Sequence, residues 1–348
     1  ETTSCPTFSH NKWTDTEIRE GGIEEMIVEG DKKALRKPEE LKHVIYECKN
    51  GVGWIILNDP KRRNPLSLQR VEDMREAILI GENDDNAVIL CFAAQGQHFS
   101  GGAEIKPWRW GNGVQFFHSH RYFKQPMWEK IWDCKKPILA ALHGYTIGFC
   151  LETMLRCDVL IATEDTMIGE IEIQFGSPYG NQRIARLANE RIQMWYSLTG
   201  DMMTAQEALN YGIVNKVVPN DKLEDAVYGF CEKVKRWSPT ALWFNRIAIK
   251  YGLTTNERTG VLIEDLLESL QSTTADWAQG LLAFQSEPRR MPVFTNKIPK
   301  AVVPEPSLMP KTKKPIIDTK HMSYIFEAEE PQVGEAGQWF GAKGKSKS

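Results

Sequence analysis

Residues 137–182 read PILAALHGYTIGFCLETMLRCDVLIATEDTMIGEIEIQFGSPYGNQ, and the order of apolar runs and glycines within them decides the fold. Ile138 to Leu142 and Asp158 to Ala162 read as two short apolar strands. Between them Gly144 and Gly148 mark a turn, and a helix opens near Phe149 and carries Glu152. A loop with Glu170 and Glu172 follows. A helix start and a loop thereby deliver carboxylates to one neighbourhood. The first N–H groups of a helix lack internal partners and carry the positive end of its dipole. The Gly148-Phe149-Cys150 segment therefore suits an oxygen that becomes negative during reaction. Acid/base chemistry beside an oxyanion site is the first expectation.

Upstream, HVIYECKNGVGWIILN (43–58) is two β-rich runs split by Lys49-Asn50-Gly51, a hairpin signal. A turn with three consecutive cations follows, then helical spacing from Leu68 to Ile80 and an apolar strand from Ala87 to Ala93. Strand, helix and strand recur, which argues for α/β layering. QGQHFSGGAEIKPWRW (95–110) places paired glycines directly after that strand, where backbone N–H groups can approach a ligand. From Trp108 to Trp132 aromatic residues are dense (Trp108, Trp110, Phe116, Phe117, Tyr122, Phe123, Trp128, Trp132). They read either as a core or subunit-contact helix or as a wall over a bulky apolar substrate. Downstream, 185–198, 204–211, 223–237 and 240–251 read as helices, 260–284 as one or two more, and GIVNKVVP (212–219) as a strand.

Residues 1–40 read as an extension, and from Pro288 the chain turns Pro- and Lys-rich, which reads as a tail. The net charge of −3 gives no electrostatic case for nucleic acid or an anionic membrane, and no apolar run approaches the length of a spanning helix. Seven scattered cysteines, mostly within apolar runs, read as reduced thiols of a soluble cytoplasmic protein; no CxxC or Cys/His cluster suggests a metal. A start at Glu1 without an initiator Met is read as a trimmed end.

Five segments in register resemble the crotonase (enoyl-CoA hydratase/isomerase) superfamily over residues 42–294: NDPKRRNPLS, HFSGGAEIK, PILAALHGYTIGFCLE, ALNYGIVNKVVP and TTADWAQGLLAFQSEPRRMPVF. The resemblance implies an α/β fold, a crotonase-type spiral of ββα units over 41–237, with a C-terminal helical trimerisation region over 238–294 and a tail over 295–348. It implies trimers or dimers of trimers, an acyl-CoA thioester as substrate, and no cofactor beyond the coenzyme A of that substrate. Residue by residue, it puts the oxyanion N–H groups at Ala103 and Phe149 and CoA contacts at Lys61, Arg62, Arg63, Ser100, Gly101, Glu104 and Ile105. Glu152 and Glu172 fall on the paired catalytic glutamates. Glu170 would alternate to the other face of an extended segment, which favours a structural role.

The chain departs from the family pattern at three places. Phe149 stands where a glycine is usual, the loop from Glu172 to Arg183 is shortened and brings Tyr179 near, and Glu287 replaces a common lysine, with Arg289 or Arg290 as substitutes. These departures favour a cyclic or aromatic acyl group, with Trp108, Trp110 and Tyr179 lining its pocket. The leading expectation is a hydratase of such an acyl-CoA. The alternative is a hydrolase that opens the ring of a cyclic β-ketoacyl-CoA by cleaving a carbon–carbon bond. A third reading, a non-catalytic scaffold, predicts missing carboxylates, and both are present.

Overall fold

Asn50 and Gly51 both take positive φ (52° and 81°), which lets β1 (Val44–Lys49) turn directly into β2 (Val52–Leu57) with Lys49 opposite Val52. The computed structural model describes residues 36–106, 113–178 and 180–294, all within a compact unit spanning 1–299. After the hairpin, α1 (Leu68–Asn83) leads to β3 (Ile89–Ala94), and α2 (Gly113–Asp133) to β4 (Ile138–Leu142). The chain then leaves the sheet through β5 (Tyr145–Ile147) and α3 (Gly148–Met154), and returns as β6 (Val159–Thr163). β7 (Met167–Gly169), α4 (Asn181–Leu187), α5 (Glu190–Thr199), β8 (Met203–Thr204), α6 (Ala205–Asn210) and β9 (Lys216–Val218) follow. Four helices close the unit: α7 (Leu223–Val234), α8 (Pro239–Gly252), α9 (Glu257–Gln271) and α10 (Ala275–Gln285).

The strands form a six-stranded sheet in the order β1-β2-β3-β4-β6-β9, parallel beyond the hairpin, and a three-stranded sheet β5-β7-β8. Both faces of the larger sheet are covered, so its central strands are apolar at every position. Leu90, Phe92, Ile138 and Leu142 pack against Met74 and Ile78 of α1, Met127 and Ile131 of α2, and Leu151 and Met154 of α3. Ile89, Cys91, Leu139 and Ile161 face the other way, against Val227 and Cys231 of α7. The described cysteines are free thiols. No helix among the described residues is long and apolar enough to cross a membrane.

The sequence-based helix over 185–198 is two helices. Ala188 leaves helical geometry, and the Asn189 side chain accepts from the Ile192 N–H to cap a new start. The small sheet was read as turn and loop, because strands of two or three residues carry no periodicity of their own. In the aromatic segment, Met127 and Ile131 are core, Trp128 and Trp132 half-buried, and Phe117 and Tyr122 exposed. Trp108 and Trp110 lie outside the described residues.

Two polar groups tie the layers together, one half-buried and one fully buried. Asp158 pairs with Arg246 (2.6 Å) and Lys250 (2.9 Å) of α8, and Lys250 also donates to the Arg156 carbonyl (2.6 Å), which fixes the segment after α3. Asn64, fully buried with φ of 47°, accepts from the Asp59 N–H (2.7 Å) and turns its Nδ2 toward the carbonyls of Gln95, His98 and Phe99 (2.9–3.1 Å). It thus clamps the turn after β2 to the end of β3. Replacing Asn64 by Ala removes these bonds and leaves a Cβ residue in left-handed geometry, so stability should fall by about 3 kcal/mol. Urea unfolding checks this, and a loss under about 0.5 kcal/mol would assign the clamp elsewhere.

Candidate active site

The loop 98–104 runs between the turn 59–66 on one side and β5 on the other. Leu66 donates to the Gly102 carbonyl (2.8 Å) and accepts from the Glu104 N–H (3.0 Å), while the Gly101 N–H reaches the Arg63 carbonyl (2.8 Å). Ser100 donates to the Tyr145 carbonyl (2.9 Å) and accepts from the Ile147 N–H (3.2 Å). Because Leu66 bonds to the residues flanking Ala103, the N–H of Ala103 itself faces away from Leu66, toward β5 and α3. The two backbones then touch: a Cβ on Gly102 would lie 3.0 Å from the Ile147 oxygen and 3.7 Å from Gly148 Cα. One residue further on, Phe149 stands in the first turn of α3, whose N–H groups point out of the helix end. Ala103 and Phe149 each stand one residue from this contact. The Phe149 ring turns into the core, 6.3 Å from the Trp128 ring, so its bulk does not face the loop 98–104.

Three carboxyl groups are buried nearby, Glu152 (6% exposed) on α3, Glu170 (3%) after β7, and Glu172 (8%) opening a 3₁₀ turn. Glu152 pairs with Arg156 one helical turn on (3.6 Å), and the Arg156 guanidinium stacks 3.4 Å over Trp128. Glu172 lies against the start of α3, for a Cβ on Gly148 would stand 2.7 Å from its Oε1. Burial raises the Glu172 pKa above the ordinary carboxylate range, and the charge of Glu152 adds to this. Burial pushes Glu170 well above that range, with Glu172 and Glu152 adding to the shift. Lys124 of α2 is buried beside all three; burial lowers it to about 8 although the carboxylates oppose the shift.

Glu152 and Glu172 therefore share one neighbourhood as expected, but Glu170 does not alternate away. The chain leaves extended geometry at Gly169 and turns, which swings the Glu170 carboxyl back beside Glu172. Lys124 and Arg156 were missed. Their signals are a lysine among the aromatic residues RYFKQPMW and an arginine four residues after Glu152.

The residues matched to CoA contacts are dispersed in role. Lys61, Arg62 and Arg63 are exposed on the turn; Arg62 is engaged by Asp59 (2.6 Å) and Glu104 (2.7 Å), and no described residue ion-pairs with Lys61 or Arg63. Ser100 is buried, its hydroxyl donating to the Asn64 carbonyl (2.7 Å) and accepting from the Gly102 N–H (3.1 Å). Gly101 and Ile105 are exposed, and Tyr179 lies outside the described residues. Among the described residues no cluster of three or more His, Cys, Asp or Glu is placed to hold a metal.

The contact at Gly148 is testable. Ala at this position meets both the 55° φ and Glu172 Oε1, so it should displace the carboxyl and lower turnover on the order of 10²-fold, at a stability cost of about 1–2 kcal/mol. Turnover close to parental, measured beside the unfolding midpoint, would show that Gly148 does not set the position of Glu172.

Comparison with known proteins places the chain in a family. The enoyl-CoA hydratase/isomerase family model matches residues 47–297. A probable mitochondrial enoyl-CoA hydratase of Dictyostelium discoideum is 30% identical over 256 residues, covering 72% of this chain and 90% of that protein. The (E)-benzylidenesuccinyl-CoA hydratase of Thauera aromatica is 30% identical over 258 residues, covering 72% of this chain and 98% of that protein. The crystal structure of an enoyl-CoA hydratase from Bacillus anthracis superposes with a TM-score of 0.67 at 27% identity, covering 74% of this chain and all of that one. With the two-sheet fold, the touching loops and the buried glutamates, these matches make the chain a member of the enoyl-CoA hydratase/isomerase (crotonase) superfamily, enzymes that act on acyl-CoA thioesters.

Proposed function

We propose that this enzyme adds water to the α,β double bond of a cyclic or aromatic acyl-CoA. The observation that carries the proposal is the placement of two unlike buried glutamates, Glu152 ion-paired with Arg156 and Glu172 shifted toward its protonated form, beside the Ala103 and Phe149 N–H groups. Glu152 takes a proton from water as the water oxygen attacks the β-carbon. The π electrons move onto the thioester oxygen, where the two N–H groups hold the enolate. Each such donor contributes about 3 kcal/mol to barrier lowering. Glu172 then delivers its proton to the α-carbon and the thioester re-forms. A glutamate shifted toward its protonated form suits the acid role, and one held beside a guanidinium suits the base role. Since Glu172 must carry its proton, kcat should fall as pH rises through its raised pKa.

The exposure of Lys61 and Arg63 on the turn beside the loop 98–104 supports their role at the phosphates of CoA, the handle on the substrate. Similarity to the (E)-benzylidenesuccinyl-CoA hydratase of Thauera aromatica supports an aromatic or cyclic substrate. Trp108, Trp110 and Tyr179 remain the sequence's candidates for its pocket. Exposed Leu262, Leu266 and Leu270 form a stripe along α9, and Leu281, Leu282 and Phe284 are exposed on α10, which supports assembly through the C-terminal helices into trimers or dimers of trimers.

Ring-opening hydrolysis is the second reading, and the third buried carboxyl, Glu170, favours it. Water activated by a glutamate attacks the ring ketone, the bond between the ketone carbon and the α-carbon breaks, and the departing thioester enolate takes a proton. Glu172 and Glu170 supply two proton-holding groups for that sequence.

Purified protein incubated with a cyclic enoyl-CoA and with a cyclic β-ketoacyl-CoA, followed by mass spectrometry and nuclear magnetic resonance, separates the readings. Hydration gives a ring-retained hydroxyacyl-CoA; hydrolysis gives an open-chain acid. Glu172→Gln should lower kcat by about 10²- to 10⁴-fold with binding retained. Unchanged turnover would remove Glu172 from the acid role.

A further inference from the structure

Glu170 is a buried carboxyl of the site that the hydration steps leave unused. Neither of its oxygens has a hydrogen-bond donor among the described residues, and Glu172 Oε2 likewise has none. Two ionised carboxylates placed so would be buried, unsatisfied and mutually repelling, an arrangement that folded proteins avoid by protonation. A proton on Glu170, donated to an oxygen of Glu172, gives each group a partner and leaves the proton of Glu172 itself free for the substrate. The two carboxyls are near enough for each to influence the charge of the other.

We propose that Glu170 is a positioning residue that stays neutral and donates its O–H to Glu172, so that the two glutamates together form the acid arm of the site. The proposal rests on the assignment of Glu172 as proton donor. When Glu172 releases its proton to the α-carbon, the Glu170 O–H stabilises the carboxylate left behind and keeps it facing the substrate. No proton is gained or lost by Glu170 in the step.

Several features of the surroundings hold Glu170 in this state. It packs against Gly180, where positive φ and the missing Cβ make room for its carboxyl. The charged groups that face it are Glu172 on the 3₁₀ turn, Glu152 on α3, Lys124 on α2 and Arg156 after α3; burial and the carboxylates outweigh the two cations. On its far side lies a cavity of about 330 Å³ with Gln182 and Gln193 in its wall and Glu190 as its other acidic group.

The sign of a pH shift tests the assignment. A neutral donor lowers the pKa of Glu172, so Glu170→Leu should move the alkaline limb of kcat up by about one unit. It should also lower kcat about tenfold or more with little change in KM. Glu170→Gln keeps a neutral donor and should rescue kcat to within about threefold of the parent, with its pH profile. An ionised Glu170 predicts the reverse, a downward shift in Glu170→Leu through loss of repulsion, and a Gln variant that does not rescue. Either result, or a Leu variant with parental kcat and profile, overturns the proposal. Infrared difference spectroscopy between parent and Glu170→Gln, without substrate at neutral pH, should show one protonated carboxyl band lost in the variant. No such band overturns it as well. That measurement needs neither turnover nor the Leu variant, so it still reports on Glu170 if Glu172 has another role.

Discussion

The contact between Gly102 and the Ile147-Gly148 backbone is the constraint from which the site follows. Two loops that belong to different sheets approach until a single methyl group would separate them. Glycine at 102 and 148, both at positive φ, permits the approach. The bonds of Leu66 and Ser100 then leave the Ala103 N–H aimed across the seam, toward the start of α3. The core of the molecule serves to hold this seam. Asn64 fixes the outer loop to β3, and Asp158 with Arg246 and Lys250 fixes the segment after α3 to the C-terminal helices.

Electrostatics adds a second constraint. Three carboxyls buried with Lys124 and Arg156 form a cluster that is net negative until it takes up protons. Burial favours the protonated forms of Glu170 and Glu172. Arg156 is bound into this cluster from both sides, by Glu152 and by the Trp128 face, while its carbonyl is held by Lys250. The C-terminal helices thus bear on the geometry of a glutamate they do not touch.

Much of this was legible in the sequence. Continuous apolar runs gave β4 and β6 within a residue of their observed bounds, because strands covered on both faces have no polar side to show. The Asn50-Gly51 hairpin follows from backbone geometry alone. The nearness of Glu152 and Glu172 follows from a helix start and a loop that deliver carboxylates to one neighbourhood. What stayed hidden depends on tertiary context. Lys124 looks like a solvent-facing cation until α2 packs its side against α3. Glu170 looks outward until the chain turns after Gly169. The break at Ala188 arises from a capping side chain within an otherwise helical stretch.

The central claim is that one thioester oxygen sits between two N–H groups with a glutamate on either side of the reacting carbons. A crystal structure with an unreactive acyl-CoA analogue tests it most directly. The account predicts the thioester oxygen within about 3 Å of both the Ala103 and Phe149 nitrogens, with Glu172 facing the α-carbon and Glu152 holding a water at the β-carbon. A thioester bound away from that seam, or an α-carbon out of reach of Glu172, would contradict it.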